Sequence, residues 1–227
     1  MEKTKYSEKL ASLALDMGAI RLSPAAPFCW ASGYHMPIYN DNRTLLASAE
    51  ARSLIASAFE EILSSLSFDP DNIAGTSTAG IPHATTLADR MGKPLSYVRS
   101  SNKDHGLKNK IEGLGRAKGY EGKKVLLIED LISTGGSSIA AVKAIQEADG
   151  CVPYCLAIFS YGFDASKEAF ATLDPKCEYH TILDYSYVIS IAERTGYIRP
   201  EEKDVLLEWS SSPFEWGERH GFPKEEK

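Results

Sequence analysis

Residues 125–138 constrain this chain most. They read Val-Leu-Leu-Ile-Glu-Asp-Leu-Ile-Ser-Thr-Gly-Gly-Ser-Ser. The four consecutive apolar residues at 125–128 suit a strand buried on both faces. Glu129 and Asp130 follow where that strand should end, and Ser133, Thr134, Gly135, Gly136, Ser137 and Ser138 supply turn chemistry. An apolar-periodic run (Ile139, Val142, Ile145) then predicts a helix. Strand, acidic pair, glycine turn and helix N-terminus together make an anion site. Backbone N–H groups and the helix dipole face the turn, and glycine admits a phosphate close to the backbone. The two acids would repel a bare phosphate but suit sugar hydroxyls or a metal-bound phosphate. The reading is a phosphate-plus-ribose site; the ordinary alternative is a polar-capped strand–turn–helix. No Gly-Lys-Ser/Thr occurs, which excludes a Walker loop, and Gly-x-Gly-x-x-Gly is absent from this stretch, which excludes the dinucleotide fingerprint.

The rest of the chain repeats the alternation. Strands are expected near residues 73, 95, 125, 154 and 179. Helices are expected over 4–18, 47–64, from the turn after 80 to about 91, after 139, and over 164–172, 185–194 and 200–207. Strands alternating with helices indicate an α/β fold with a central, mostly parallel sheet flanked by helices. Ligands in such sheets sit beyond the carboxyl ends of the strands. That rule gathers residues 76–80, 99–105 and 129–137 at one edge. A second strand–turn–helix unit, with Thr76, Ser77, Thr78, Ala79 and Gly80 at its turn, offers a second anion cradle. Residues 20–40 carry Pro24, Pro27, Gly33 and Pro37 among Phe28, Trp30, Tyr34 and Tyr39. They read as irregular strands and turns, with aromatics that either stack on a flat ring or pack a small subdomain.

The chain's 227 residues suffice for one sizeable domain with appendages. A net charge of −6 argues against broad nucleic-acid or membrane binding. Yet residues 97–124 hold eight Lys/Arg against three Asp/Glu. This basic, glycine-bearing segment fits an anionic substrate, or is a solvated loop. No apolar run approaches the roughly 18 residues needed to span a bilayer. The charged N-terminus lacks a signal-type apolar region. Cys29, Cys151, Cys155 and Cys177 show no zinc-type spacing and read as buried free thiols of a cytoplasmic protein.

With these residues assembled, the chain resembles the orotate phosphoribosyltransferase family of type I phosphoribosyltransferases. Glu129, Asp130, Leu131, Ile132, Ser133, Thr134, Gly135, Gly136 and Ser137 resemble the family's motif for 5-phosphoribosyl 1-diphosphate (PRPP). Residues 74–83 resemble its pyrophosphate loop. Arg99 with Lys103, Asp104, His105 and Gly106, and Ile111-Glu112-Gly113, resemble its mobile catalytic loop. Trp30-Ala31-Ser32-Gly33 with residues 37–43 resembles its N-terminal segment. The resemblance spans roughly residues 5–195. It implies a type I phosphoribosyltransferase fold: an N-terminal hood over 1–45, a core over 46–207 and a C-terminal tail over 208–227.

The resemblance implies transfer of ribose 5-phosphate from PRPP to orotate, giving orotidine 5′-monophosphate and diphosphate in pyrimidine biosynthesis. Mg²⁺ would arrive on PRPP rather than on a direct protein site. Lys103, Glu129 and Asp130 would be catalytic, and Lys103, His105 and Arg99 would neutralise the leaving pyrophosphate. The two acids would hold the ribose hydroxyls, residues 134–137 the 5′-phosphate, and Ser133 would touch orotate. The loop would reach a neighbouring subunit's site, implying a homodimer that binds neither nucleic acid nor membrane. Asp41 and Arg43 are expected to pair and brace the N-terminal segment, and His83 has no chemical role. Three positions depart from the pattern. Ala31 stands for a lysine, Ser160-Tyr161-Gly162 lacks the arginine that holds the orotate carboxylate, and Ser100 and Ser101 follow Arg99 where a second basic residue is usual. Backbone N–H groups near Ser32-Gly33, or Arg43, are the candidates to replace that arginine. A purine phosphoribosyltransferase and a non-catalytic PRPP-sensing regulator are the alternative readings.

Overall fold

The structure is a computed structural model that describes residues 3–100, 110–117 and 119–226. In chain order it begins with α1 (Ser7–Asp16), then β1 (Ile20–Leu22), β2 (Phe28–Cys29), β3 (His35–Met36) and β4 (Ile38–Asn40). A 3-10 turn (Asn42–Ala47) leads into α2 (Ala49–Ser65), β5 (Asn72–Thr76), α3 (Gly80–Met91), β6 (Leu95–Val98) and β7 (Ile111–Glu112). Then follow β8 (Lys124–Ile132), α4 (Gly136–Glu147), β9 (Cys151–Ser160), α5 (Asp164–Ala171) and β10 (Glu178–Asp184). The chain closes with α6 (Tyr185–Arg194), α7 (Pro200–Ser211) and α8 (Pro213–Arg219).

The main sheet has the order β10-β9-β8-β5-β6-β7. All its neighbours are parallel except the edge pair β6–β7. The sequence explains the centre of this sheet. Along β8 the apolar side chains divide by alternation: Leu126 and Ile128 enter one core, Val125 and Leu127 the other. A four-residue apolar run is what a strand sandwiched between helices requires. The first core takes α1, α2, α3, α6 and α7, through residues such as Leu10, Phe59, Leu87, Val188 and Leu206. The second takes α4 and α5, through Val142, Ile145 and Phe170.

Four expectations change. Of the four cysteines expected to be buried, Cys155 and Cys177 are, but Cys29 and Cys151 are exposed. The organising strand does not stop before the acids. It runs on through Glu129 and Asp130 to Ile132, because β9 keeps pairing with it at Leu131↔Phe159 and Ile132↔Ser160. Within the basic segment, Ile111–Glu112 forms an edge strand antiparallel to β6, with Val98 opposite Ile111. Two residues give too short a pattern for a period to show. The first helix is also shorter than 4–18: it ends at Asp16 and is capped by Met17, whose N–H bonds the Leu13 carbonyl before the left-handed Gly18.

Residues 20–40 pack rather than stand open. β1 pairs antiparallel with β4, and β2 with β3. Trp30 lies 5.5 Å from Tyr161 and 6.4 Å from Trp209, ring centre to ring centre. The C-terminal segment completes this cluster: Trp209 is 0% and Trp216 1% exposed. These tryptophans sit in a segment that is polar and acidic on average, so composition concealed them.

Candidate functional site

The two small-residue turns lie side by side because their strands do. β5 and β8 are parallel neighbours in register from Asn72↔Val125 to Gly75↔Ile128. Each then feeds a helix, α3 from Gly80 and α4 from Gly136. Neither N-cap residue, Ala79 or Gly135, supplies a side-chain hydrogen bond to its helix. The α4 terminus therefore offers uncapped N–H groups to this space, the condition for holding an anion; at α3 the Ile81 N–H already donates to the Thr78 carbonyl at 3.3 Å and Pro82 has none, which leaves that of Gly80.

That space is a cavity of about 380 Å³. It is lined by Ser77, Thr78, Ala79, Glu129, Asp130, Leu131, Ser133, Thr134, Gly135, Gly136 and Ser137. The volume suits a small-molecule ligand. Thr76, Gly80 and Ile132 stand just behind it. Gly80 is there for a steric reason: a Cβ would overlap the Ile128 carbonyl oxygen and lie 2.5 Å from Thr76 Oγ1. Gly135 has φ +86°, a left-handed conformation that lets the chain turn into α4. The Ser77–Thr78 peptide is cis.

The acidic pair divides. Glu129 is only 4% exposed. Its carboxylate accepts hydrogen bonds from Thr76 Oγ1, from Ser137 Oγ at 3.0 Å and from Ser138 Oγ at 3.2 Å. Those hydroxyls come from both turns, so Glu129 ties the two cradles together. Asp130 is half-buried. Burial, reinforced by the neighbouring Glu129, pushes its carboxyl up to about 6. A carboxylate held reluctantly ionised favours a cation or hydroxyl donors beside it. Asn42 Nδ2 donates to the Asp130 carbonyl at 2.7 Å, linking the segment after β4 to the site.

A second, smaller compartment of about 140 Å³ adjoins the first, sharing Ser77 and Ser137. Arg99 and Lys110 line it, with Thr76, Ser100 and Ala140. Edge pairing brings the two cations together: the Arg99 N–H donates to the Lys110 carbonyl at 2.8 Å. The Arg99 guanidinium pairs with Glu112 at 3.4 Å. The Ser100 N–H donates to Ser77 Oγ at 2.9 Å, so the basic segment starts against the first turn. Lys103 and His105 lie outside the described residues. Two site residues, Lys110 and Asn42, are not set apart by the sequence. Lys110 was one of several cations in the basic segment, and nothing local set it apart. Ser138 was visible as the last of the turn's small donors, but its bond to Glu129 depends on the strand running past the acids.

The structure shows what fills the positions that depart from the family pattern. Ser160 is 2% exposed, and its Oγ accepts the Gly162 N–H at 3.0 Å. Tyr161 is buried and stacks on Phe163, with centroids 5.3 Å apart. Arg43 forms a two-pronged pair with Asp41, Nε to Oδ1 at 2.7 Å and Nη2 to Oδ2 at 2.9 Å. This is the bracing expected of the two residues, and it leaves three of the five guanidinium N–H donors for other partners. The Ser32-Gly33 turn is covered, since the Glu225 N–H donates to the Gly33 carbonyl at 2.9 Å. His83 is a core residue: burial, with Arg52 nearby, lowers it to about 4 and keeps it neutral.

Comparison with known proteins agrees with this geometry. Residues 42–168 match the phosphoribosyl transferase domain family. Over 216 residues the chain is 41% identical to an orotate phosphoribosyltransferase of Cutibacterium acnes, covering 95% of this chain and 97% of that one. The crystal structure of orotate phosphoribosyltransferase from Aeropyrum pernix superimposes with a TM-score of 0.68 at 25% identity, covering 84% of this chain and 99% of the other. Leishmania donovani UMP synthase shares the fold, with a TM-score of 0.74 at 23% identity; 90% of this chain covers 42% of that longer one. Among the described residues, no helix is long and apolar enough to cross a membrane.

Proposed function

Because the chain belongs to the orotate phosphoribosyltransferase family, we propose that its cavity carries out that family's reaction: transfer of ribose 5-phosphate from PRPP to orotate, releasing diphosphate. The observation that carries this reading is the pairing, in one cavity, of an acidic dyad with the uncapped N-terminus of α4. Phosphate and ribose need opposite chemistry, and the site offers both within one strand–turn–helix.

The 5′-phosphate rests on residues 134–137, which line the cavity at the start of α4 and supply backbone N–H groups, while the Ser137 hydroxyl stays on Glu129. The ribose hydroxyls meet Glu129 and Asp130. As the C1–diphosphate bond lengthens, the sugar gains positive charge, and the dyad's field stabilises it. The pyrophosphate lies toward residues 76–80 and the smaller compartment, where Arg99 and Lys110 add positive charge; the family resemblance gives Lys103 and His105 the same task of neutralising it. Mg²⁺ supplies charge neutralisation of the diphosphate when bound. The site's oxygen-only donors, the Asp130 carboxylate and the hydroxyls of Ser77 and Thr78, fit such a hard cation. Ser133 contacts orotate. Arg43, whose guanidinium has donors beyond those given to Asp41, takes its carboxylate in place of the absent arginine. The hood (1–45) and the core (46–207) enclose the base between them, and two copies of the chain share the loop around Lys103.

The test is steady-state kinetics of Lys103→Ala beside the wild type. Loss of the cation that meets the leaving group lowers orotate turnover by about 10²–10³-fold with the fold retained. Unchanged turnover would refute the assignment.

A further inference from the structure

We propose that Cys29, His35 and Glu225 form a binding site for a zinc-type divalent cation, which fastens the C-terminal segment to the hairpin β2–β3. The site lies apart from the PRPP cavity, and nothing in the proposed reaction uses it.

The ligating atoms of the three residues all lie within 4.8 Å of one another. A tetrahedral zinc with bonds of about 2.0–2.3 Å needs donor atoms about 3.5 Å apart. His35 Nε2 and Glu225 Oε1 are already 3.4 Å apart. The remaining adjustment falls to the side chains of Cys29 and Glu225, both exposed. Their backbones are fixed. Cys29 and His35 face each other as a registered cross-strand pair. The Trp30 N–H to Tyr34 carbonyl bond, 2.9 Å, closes the hairpin behind them. Glu225 is held by its own N–H on the Gly33 carbonyl.

The histidine is oriented as a ligand requires. His35 Nδ1 lies 3.0 Å from the Pro223 carbonyl oxygen. A carbonyl only accepts, so Nδ1 carries a proton, and Nε2, on the side of Glu225 and Cys29, is the nitrogen left to give its lone pair to a cation. A backbone carbonyl on the second ring nitrogen is the usual support for a metal-bound histidine. One thiolate, one imidazole and one carboxylate make a borderline-soft set that favours zinc over magnesium or calcium, with water as the fourth ligand. The Cys29 thiol donates weakly to the Trp30 carbonyl at 3.6 Å. On metal binding it releases its proton to solvent and the sulfur turns to the cation. The ligands span 196 residues of sequence, which is why cysteine spacing alone gave no zinc signal.

The experiment is titration of the chelator-stripped full chain with zinc chloride by calorimetry, and with cobalt(II) by absorption. Cys29→Ser and Glu225→Gln are run in parallel; both positions are exposed, so the fold is kept. The wild type is expected to take one equivalent in the micromolar range or tighter. Its cobalt form shows a thiolate-to-metal charge-transfer band, and zinc raises the unfolding midpoint. Each variant weakens binding by at least ~10-fold, and the band disappears in Cys29→Ser. No saturable zinc binding, equal affinity in Cys29→Ser, or a cobalt form without the thiolate band would each overturn the site.

Discussion

Asp130 stores an electrostatic cost in the folded protein, and removing it should be visible as stability. Its carboxyl is raised from 3.8 to about 6, first by burial and then by Glu129. The folded state therefore binds more protons than the unfolded chain between those values. The stability linked to this group is fully present below pH 3.8 and is lost as pH rises to about 6. The full interval corresponds to about 3 kcal/mol. Asp130 keeps partial contact with solvent, so about 2 kcal/mol is the working figure. Asp130→Asn removes the charge and keeps an oxygen for the backbone N–H groups of 130 and 131. The variant is expected to be about 2 kcal/mol more stable than wild type at pH 8, or roughly 4–8 °C in Tm for a chain of this size. The gain shrinks toward zero near pH 4. Urea unfolding of both proteins at the two pH values measures it, and the contrast between pH values cancels any fixed packing cost of the amide. The same substitution abolishes the acid limb of kcat/KM near pH 6 and lowers the rate. A stability difference that is the same at pH 4 and pH 8, or that favours wild type at pH 8, would refute the reasoning.

Two other substitutions probe separate parts of the site. Gly80→Ala pushes a methyl group against the Ile128 carbonyl and Thr76 Oγ1, and so should cost about 1–3 kcal/mol in denaturant unfolding and weaken PRPP binding. Arg43→Ala should raise the KM for orotate by about 10–100-fold, the worth of a charge-assisted contact, and leave the KM for PRPP unchanged. Its guanidinium is 67% exposed, so unfolding should move by no more than about 0.5 kcal/mol, and an unchanged orotate KM would remove Arg43 from the base site.

Most of the site was legible because its chemistry is local. The turn residues 133–137 follow one another in sequence, and the strand–turn–helix context follows from apolar runs on either side. What escaped was set by pairing between distant segments. The continuation of β8 through Glu129 and Asp130 depends on Phe159 and Ser160 across the sheet, and it changed the acids from strand-end residues into strand residues. The hydroxyl cage of Glu129 draws on Thr76, 53 positions earlier, which no spacing rule connects to it. The tryptophans at 209 and 216 lie in a polar segment; Trp209 becomes core where Trp30, Tyr161 and Phe163 meet it, and Trp216 where His220 and Phe222 stack beside it. The C-terminal cover over Gly33 was equally invisible, because it rests on contacts across nearly the whole chain: the Glu225 N–H on the Gly33 carbonyl, His35 on the Pro223 carbonyl, and the close approach that a residue without a side chain permits.

The cavity beyond the carboxyl ends of β5 and β8 is proposed to hold PRPP and deliver its ribose to orotate. The most direct measurement follows the ultraviolet absorbance of orotate with the purified chain, PRPP and Mg²⁺, beside parallel reactions with adenine and guanine. The account predicts PRPP-dependent loss of orotate with equimolar release of diphosphate, and no comparable turnover of either purine. Turnover of a purine but not orotate, or PRPP binding with no turnover of any base, would contradict it.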